Sequence, residues 1–332
     1  MRIAVLGAGR IGQVHAKAVR SVEGAVLHSI TDPVEEAARA VAAEHGCAVA
    51  TMDEVEAGGA DAVLICTPTD THADLIERFA RARKAVFCEK PVDLSVARVK
   101  ECLRVVDETG AFLMIGFQRR FEPDFRTVRA AIDDGRIGRV ENVALVSRDP
   151  SPPPLAYQRH CGGIFRDMTI HDFDVARWML GEDPVEVYAS ASALFDEAAM
   201  ELGDFDSANT VLRCESGAMA TIHNTRRVTY GYDQRIEVHG SKGSVSALNH
   251  AEARVQFAGE DGYTVPPNQH FFLDRYMEAY RLEIAAFVKA AQAGEAPPSS
   301  GHDGLMALAL AEAADLSARE NRPVRVGEVL GA

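Results

Sequence analysis

The sequence predicts an α/β chain in two parts. Residues 1–118 predict a doubly wound parallel sheet. Residues 119–332 predict an α+β domain with a large, mostly antiparallel open sheet. Three observations lead there. Over the first 118 residues, short apolar runs alternate with helix-length patterns. Runs such as AVLIC (Ala62–Cys66) and FLMIG (Phe112–Gly116) are apolar at successive positions, which suits strands buried on both faces. Beyond residue 118 the strand-like runs crowd together, parted by short turns, which suits antiparallel pairing.

Taken in order, Arg2–Leu6 reads as a strand and Ile11–Val22 as a helix. Ala25–Thr31 is a strand and Val34–His45 a helix. Ala60–Cys66 is a strand and Thr71–Ala82 a helix. Ala85–Cys88 is a strand, Ser95–Thr109 a helix and Phe112–Gly116 a strand. Such alternation predicts right-handed crossovers. The rhythm then changes. Helix Pro123–Asp134 leads to strand Val140–Ser147 and a proline-rich loop, Asp149–Pro154. The stretch GGIFRDMTIHDFDVARWM (Gly162–Met179) reads as a short loop and a helix. Six strand-like runs follow between Val185 and Phe257: VEVYASASALF, SANTVLRC, AMATIHNT, QRIEVHG, SVSAL and ARVQF. Helices over about 272–293 and 303–320 close the chain, and the last is expected to pack on the first domain.

Composition narrows the functional classes. The net charge of -14 leaves a nucleic acid or an anionic membrane in need of a local basic patch. Gln118-Arg119-Arg120 is too short to be one. No apolar run reaches the roughly 18 residues of a membrane span. The apolar part of MRIAVLGAGR is short and runs into glycines, so it reads as a first strand and not as a signal peptide. The six cysteines form no CxxC pair and are expected to be buried, reduced thiols of a cytoplasmic protein.

Chemistry first shows at Gly7-Ala8-Gly9-Arg10-Ile11-Gly12, a GxGxxG between a strand and a helix. The first glycine allows the tight turn, the second lets backbone approach a pyrophosphate, and the third lets helix and strand pack closely. The helix N-terminus offers free N–H groups to the phosphates. This is the Rossmann fingerprint. Asp32 ends the second strand, where an acid binds the adenosine ribose hydroxyls and repels a 2′-phosphate. NAD is therefore favoured over NADP. Arg10 can hold a phosphate, so use of both stays open. Asp32 also suits a turn before Pro33. Thr67-Pro68-Thr69 follows a strand end, where ligands bind in such sheets, or forms a plain strand-to-helix turn. His15 and His72 read as structural or peripheral, with His72 close enough to that loop to count among cofactor-contacting residues.

Cys88-Glu89-Lys90-Pro91 ends another strand. Lys90 reads either as a surface residue or as a group aimed at a substrate by the proline-fixed backbone beside it. In the second case it can exchange a proton with a hydroxyl. Asp167 and His171 are four apart and share one side of a helix. Read alone, they are a helix cap and a core histidine. His160, Cys161, His171 and Asp172 fit no known metal-ligand spacing. Asp172 and Asp174 suit the first turn of a helix, where the dipole favours acids.

GAGRIG, the EKP at 89–91, GFQRRF (Gly116–Phe121) and the Gly162–Met179 stretch together resemble the Gfo/Idh/MocA oxidoreductases. RDPSPPP, YGYDQRIEVHGSKG (Tyr230–Gly243) and RYMEAYRLEIAAF (Arg275–Phe287) make the inositol 2-dehydrogenases the most similar group within them. The resemblance covers nearly the whole chain. It implies NAD-dependent oxidation of a secondary hydroxyl of myo-inositol or a related cyclitol, with Lys90, Asp167 and His171 catalytic and no metal. It places Gly7, Gly9, Arg10, Ile11, Gly12, Asp32, Thr67, Pro68, Thr69, His72, Glu89 and Lys90 at the cofactor. It places Gln118, Arg119, Asp149 and Tyr232 at the polyol, beside the catalytic three. Tyr157–Cys161 departs from a less bulky family stretch, so Arg159 and His160 either reshape the pocket or form a variable surface loop. The resemblance also implies a homodimer or homotetramer formed through the outer face of the antiparallel sheet. Two other readings remain: an NAD(P)-dependent dehydrogenase or reductase of pyranose sugars, and a non-catalytic dinucleotide or sugar sensor.

Overall fold

A computed structural model describes residues 1–331. The chain divides into two compact units. One is Met1–Phe121 with Met277–Leu308, and the other is Glu122–Tyr276 with Ala309–Ala332.

The first unit is built on six strands: β1 (Arg2–Leu6), β2 (Val26–Thr31), β3 (Ala48–Val49), β4 (Ala62–Ile65), β5 (Ala85–Glu89) and β6 (Leu113–Gly116). Their order is β3-β2-β1-β4-β5-β6, and every neighbouring pair is parallel. The chain starts in the middle of the sheet and winds outward in both directions, so the order reverses beside β1. Ligands bind at the strand ends beside such a reversal. Ile3–Leu6 and Ala62–Ile65 are wholly buried, which the apolar runs require. The short edge strand β3 has only two exposed residues and leaves no hydrophobic run to read. Helix Arg10–Arg20 buries Val14, Ala18 and Val19 against the sheet. Helix Val96–Thr109 is capped by Ser95, whose hydroxyl accepts from Arg98 N, and stops at left-handed Gly110.

The sequence division assigns residues 119–332 to a second domain, with only the C-terminal helix expected back on the first. Residues 277–308 nevertheless cluster with the first unit. The cause is apolar spacing: Ile284, Phe287 and Val288 recur on one helical face. They join the core that holds Val19, Leu64 and Phe87, and the Phe87 and Phe287 rings meet edge to face at 5.8 Å.

The second unit contains β7 (Val140–Arg148), β8 (Pro184–Ser192), β9 (Ser207–Cys214), β10 (Met219–Thr225), β11 (Asp233–Gly240) and β12 (Gly243–Ala247). It also holds a small hairpin, β13 (Phe257–Gly259) with β14 (Gly262–Thr264), and a late strand, β15 (Val324–Arg325). The large sheet has seven strands in the order β12-β11-β7-β10-β9-β8-β15. It is mostly antiparallel, as expected, with one exception: β10 runs parallel to β7. Helix Ile170–Leu180 connects β7 to β8, so β8 starts in the same direction as β7. The β8-β9-β10 meander then brings β10 back alongside β7. Alternation along β9 sorts Ala208, Thr210, Leu212 and Cys214 inward and Asn209 and Val211 outward.

The ARVQF strand is not formed as read. Only Phe257 lies in a strand, on the separate hairpin. Val255 and Phe257 are exposed, so that run has no sheet face to cover. The VEVYASASALF strand stops at Ser192, because the Asp206 carboxylate takes the amides of Leu194, Phe195 and Asp196. Five of the cysteines are buried, Cys47 is half-buried, and all six are free thiols. Among the described residues, no helix is long and apolar enough to cross a membrane.

Candidate active site

In the first unit the three glycines do different work. Gly7 has φ +104°, and a Cβ there would lie 2.5 Å from the Cys66 carbonyl oxygen. A Cβ on Gly12 would lie 2.0 Å from the Gly7 carbonyl oxygen. Both are therefore required by the fold. Gly9 is not: its φ of -69° suits any residue, and nothing lies within 4 Å of where its Cβ would sit. Gly9 also stands at the N-cap of helix Arg10–Arg20, where no side chain caps the free amides. Open space over uncapped amides fits a pyrophosphate. Asp32 lies at the end of β2. One carboxylate oxygen accepts from Ala8 N at 2.7 Å and the other from Val34 N at 2.8 Å. The acid is thus fixed against the glycine loop, with lone pairs left for ribose hydroxyls. The loop, the helix terminus and the acid together fit NAD. Arg10 is exposed and Ile11 half-buried at the start of the same helix.

Thr67, Pro68 and Thr69 follow β4, and the Thr67 and Thr71 hydroxyls bond at 2.6 Å. His72 is buried and committed to backbone. Its Nδ1 lies 2.7 Å from the Pro91 carbonyl oxygen and its Nε2 2.8 Å from that of Thr67. The ring therefore ties the Thr67 loop to the Pro91 loop. Glu89 is held by its own contacts as well. Its Oε1 lies 2.6 Å from His15 Nε2, and its Oε2 accepts from Lys90 N at 3.3 Å. Glu89 supports the lysine loop from beneath. Lys90 itself is half-buried just past β5. Gln118 and Arg119 are buried on the short turn that follows β6.

In the second unit, Phe165–Thr169 is a π-helical turn that runs into helix Ile170–Leu180. Such turns recur at functional sites. Asp167 and His171 lie one turn apart on it, both half-buried. The Asp167 carboxylate is held from two sides. Tyr157 Oη donates to Oδ1 at 2.8 Å, and Arg226 Nη1 donates to Oδ2 at 3.2 Å. Arg226 follows β10 and is 1% exposed. Burial works against its charge. The neighbouring acids, Asp167 first, more than offset that and hold its pKa above the usual arginine range. The Cys161 thiol is pushed up to about 11, by burial first and then by Asp167, so it is no nucleophile. Asp149 follows β7, and its amide donates to the Thr225 carbonyl at 3.0 Å. Tyr232 is buried, edge to face with Tyr276 at 6.0 Å.

Asp172 stands in the first turn of helix Ile170–Leu180, as read, and both Asp172 and Asp174 are fully buried. Asp172 accepts from Ser147 Oγ and, at 2.8 Å, from Asn224 Nδ2. It anchors the helix under His171 to β7 and β10. Arg159 is exposed and pairs with Glu201 at 2.7 Å, and His160 is exposed. Both therefore sit on a surface loop. Sequence reasoning missed Arg226 as a site residue. The only signal was a basic pair, Arg226-Arg227, directly after a strand end, and such pairs are usually solvated.

Two family descriptions match the chain. Residues 1–117 match an oxidoreductase family with an NAD-binding Rossmann fold, and residues 125–246 match the GFO/IDH/MocA C-terminal domain. Inositol 2-dehydrogenase of Rhizobium meliloti is 57% identical over 98% of this chain and 99% of its own. A scyllo-inositol 2-dehydrogenase (NAD(+)) of Bacillus subtilis is 37% identical over 98% and 96%. Among solved structures, scyllo-inositol dehydrogenase of Lactobacillus casei with bound NAD(H) and scyllo-inositol superposes with a TM-score of 0.91. It is 27% identical and covers 98% of this chain and 99% of that one.

Proposed function

We propose that this chain, which belongs to the GFO/IDH/MocA family of NAD-binding oxidoreductases, oxidises one ring hydroxyl of myo-inositol or a closely related cyclitol to the ketone. The observation that carries the reading is the 57% identity to an inositol 2-dehydrogenase along nearly the full length of both chains. Relatives that act on scyllo-inositol make that isomer the second substrate reading.

Gly7, Gly9, Gly12 and the first amides of helix Arg10–Arg20 would seat the pyrophosphate of NAD, and Asp32 the adenosine ribose. Thr67, Pro68 and Thr69 would flank it. NAD supplies the acceptor for the hydride that leaves the carbinol carbon. The protein has to manage the hydroxyl proton. In this reading His171 accepts it, since an imidazole titrates near neutral pH. Asp167 fixes the ring and steadies its charged form. Lys90 hydrogen-bonds the reacting oxygen and stabilises alkoxide character. Gln118, Arg119, Asp149 and Tyr232 supply donors and acceptors for the remaining hydroxyls.

The same reading makes the protein a cytoplasmic homodimer or homotetramer. Six free thiols suit a reducing compartment. Tyr188, Val211 and Met219 leave apolar surface on the outer face of the seven-stranded sheet, which suits pairing there. The test is NAD reduction, followed by NADH absorbance, with myo-, scyllo- and D-chiro-inositol, glucose, galactose and xylose, each repeated with NADP. Preference for a cyclitol with NAD upholds the reading. Preference for a pyranose overturns the substrate class, and NAD binding without turnover on any polyol overturns the enzyme.

A further inference from the structure

Arg226 is the largest of the fully buried side chains. A guanidinium in such a place is normally matched by acceptors all round, because each unmatched buried N–H is costly. Here only the 3.2 Å bond from Nη1 to Asp167 Oδ2 is made. Nε and Nη2 have no hydrogen-bond partner. A buried pair built this way is a poor stabilising device. Its position is telling instead, since it ends on the one carboxylate that lies a turn before His171.

We infer that Arg226 is a positioning residue that, through Asp167, sets the pH at which His171 gives up its proton. The inference rests on the reading of Asp167 and His171 under Proposed function. The groups that face Arg226 are Asp149 beyond β7, Cys161 on the turn before Gly162, Asp167 itself and Asp204 ahead of β9. Tyr157 reaches Asp167 from the other side. Asp167 alone would favour the imidazolium and keep the histidine protonated, unable to act as a base. A permanent positive charge bound to Asp167 opposes that proton. The same contact, opposite the Tyr157 hydroxyl, holds the carboxylate in one orientation. Arg226 thus makes His171 a working base at lower pH.

The experiment uses the full chain and follows kcat and KM for myo-inositol at saturating NAD against pH. The variants are R226K, R226Q, R226M and D167N. With the charge removed, the acid limb of kcat/KM should move up by about one pH unit. At neutral pH kcat should then fall about threefold, and about tenfold well below the limb, with KM little changed. R226K keeps the charge and should hold the limb at its wild-type place. If the limb stays put in R226Q and R226M, the inference is wrong. It is also wrong if R226K is as impaired as R226Q with the limb unmoved, or if neither neutral variant folds, because the charge is then structural. Near-normal turnover of D167N would overturn the catalytic reading itself, independently of what Arg226 does.

Discussion

Replacing Gly9 by alanine separates cofactor binding from folding. Gly9 has φ -69° and ψ -174°, which alanine adopts without strain. A Cβ there meets nothing within 4 Å. The variant should be as stable as wild type, or gain about 0.4–1 kcal/mol by restricting the unfolded chain. NAD is different: a methyl at that point stands where the backbone must approach the pyrophosphate. A loss of about 1.4–2.8 kcal/mol is expected, which is about 10–100-fold in Kd. Gly12 is the control. A Cβ there would lie 2.0 Å from the Gly7 carbonyl oxygen, and backbone overlap of that kind costs about 1–3 kcal/mol or more. Thermal melts without NAD should leave G9A at the wild-type Tm and lower that of G12A. Titration calorimetry with NAD should then show the defect in folded G9A. If G9A binds NAD with wild-type affinity, the glycine loop is not the pyrophosphate seat.

The catalytic assignment predicts that Lys90→Ala and His171→Ala each lower kcat by roughly 10²–10⁴-fold while the fold survives. Near-normal turnover in both would remove the roles given to them. Asp32→Ala should weaken NAD far more than NADP in fluorescence titrations, and an equal loss would remove the ribose assignment. Asp206 gives a pH prediction. Burial raises its pKa, but the amides of Phe195 and Asp196, the Ser207 hydroxyl and the Leu194 amide together hold it below the ordinary range. A carboxylate depressed on folding stabilises fully above its unfolded pKa, and that stability is lost as pH falls through the folded value. Urea unfolding of D206N should therefore show a protein weaker by about 1–3 kcal/mol at neutral pH. The gap to wild type should close towards pH 3. A gap that stays constant would mean the acid acts by shape alone.

The sequence by itself determined what local pattern encodes. Successive apolar residues gave β1, β4 and β6 their burial on both faces. Gly7 and Gly12 are legible because a turn and a close approach each leave no room for a side chain. Asp32 is legible because a strand end fixes its distance from the glycine loop. Lys90, Asp167 and His171 could be named as catalytic only through the family resemblance, since spacing alone favoured a helix cap and a core histidine. Tertiary structure decided the rest, wherever a partner lies far along the chain. It placed residues 277–308 in the core of the first unit, laid β10 parallel to β7, and turned Glu89 onto His15. It buried Asp172 against Ser147 and Asn224, where a first-turn acid would ordinarily face water. Arg226 is the clearest case. Its neighbours Asp149, Asp167 and Asp204 come from three separate segments. Periodicity reports which way a side chain faces within its own element, and only the packing of elements decides which charge it meets there.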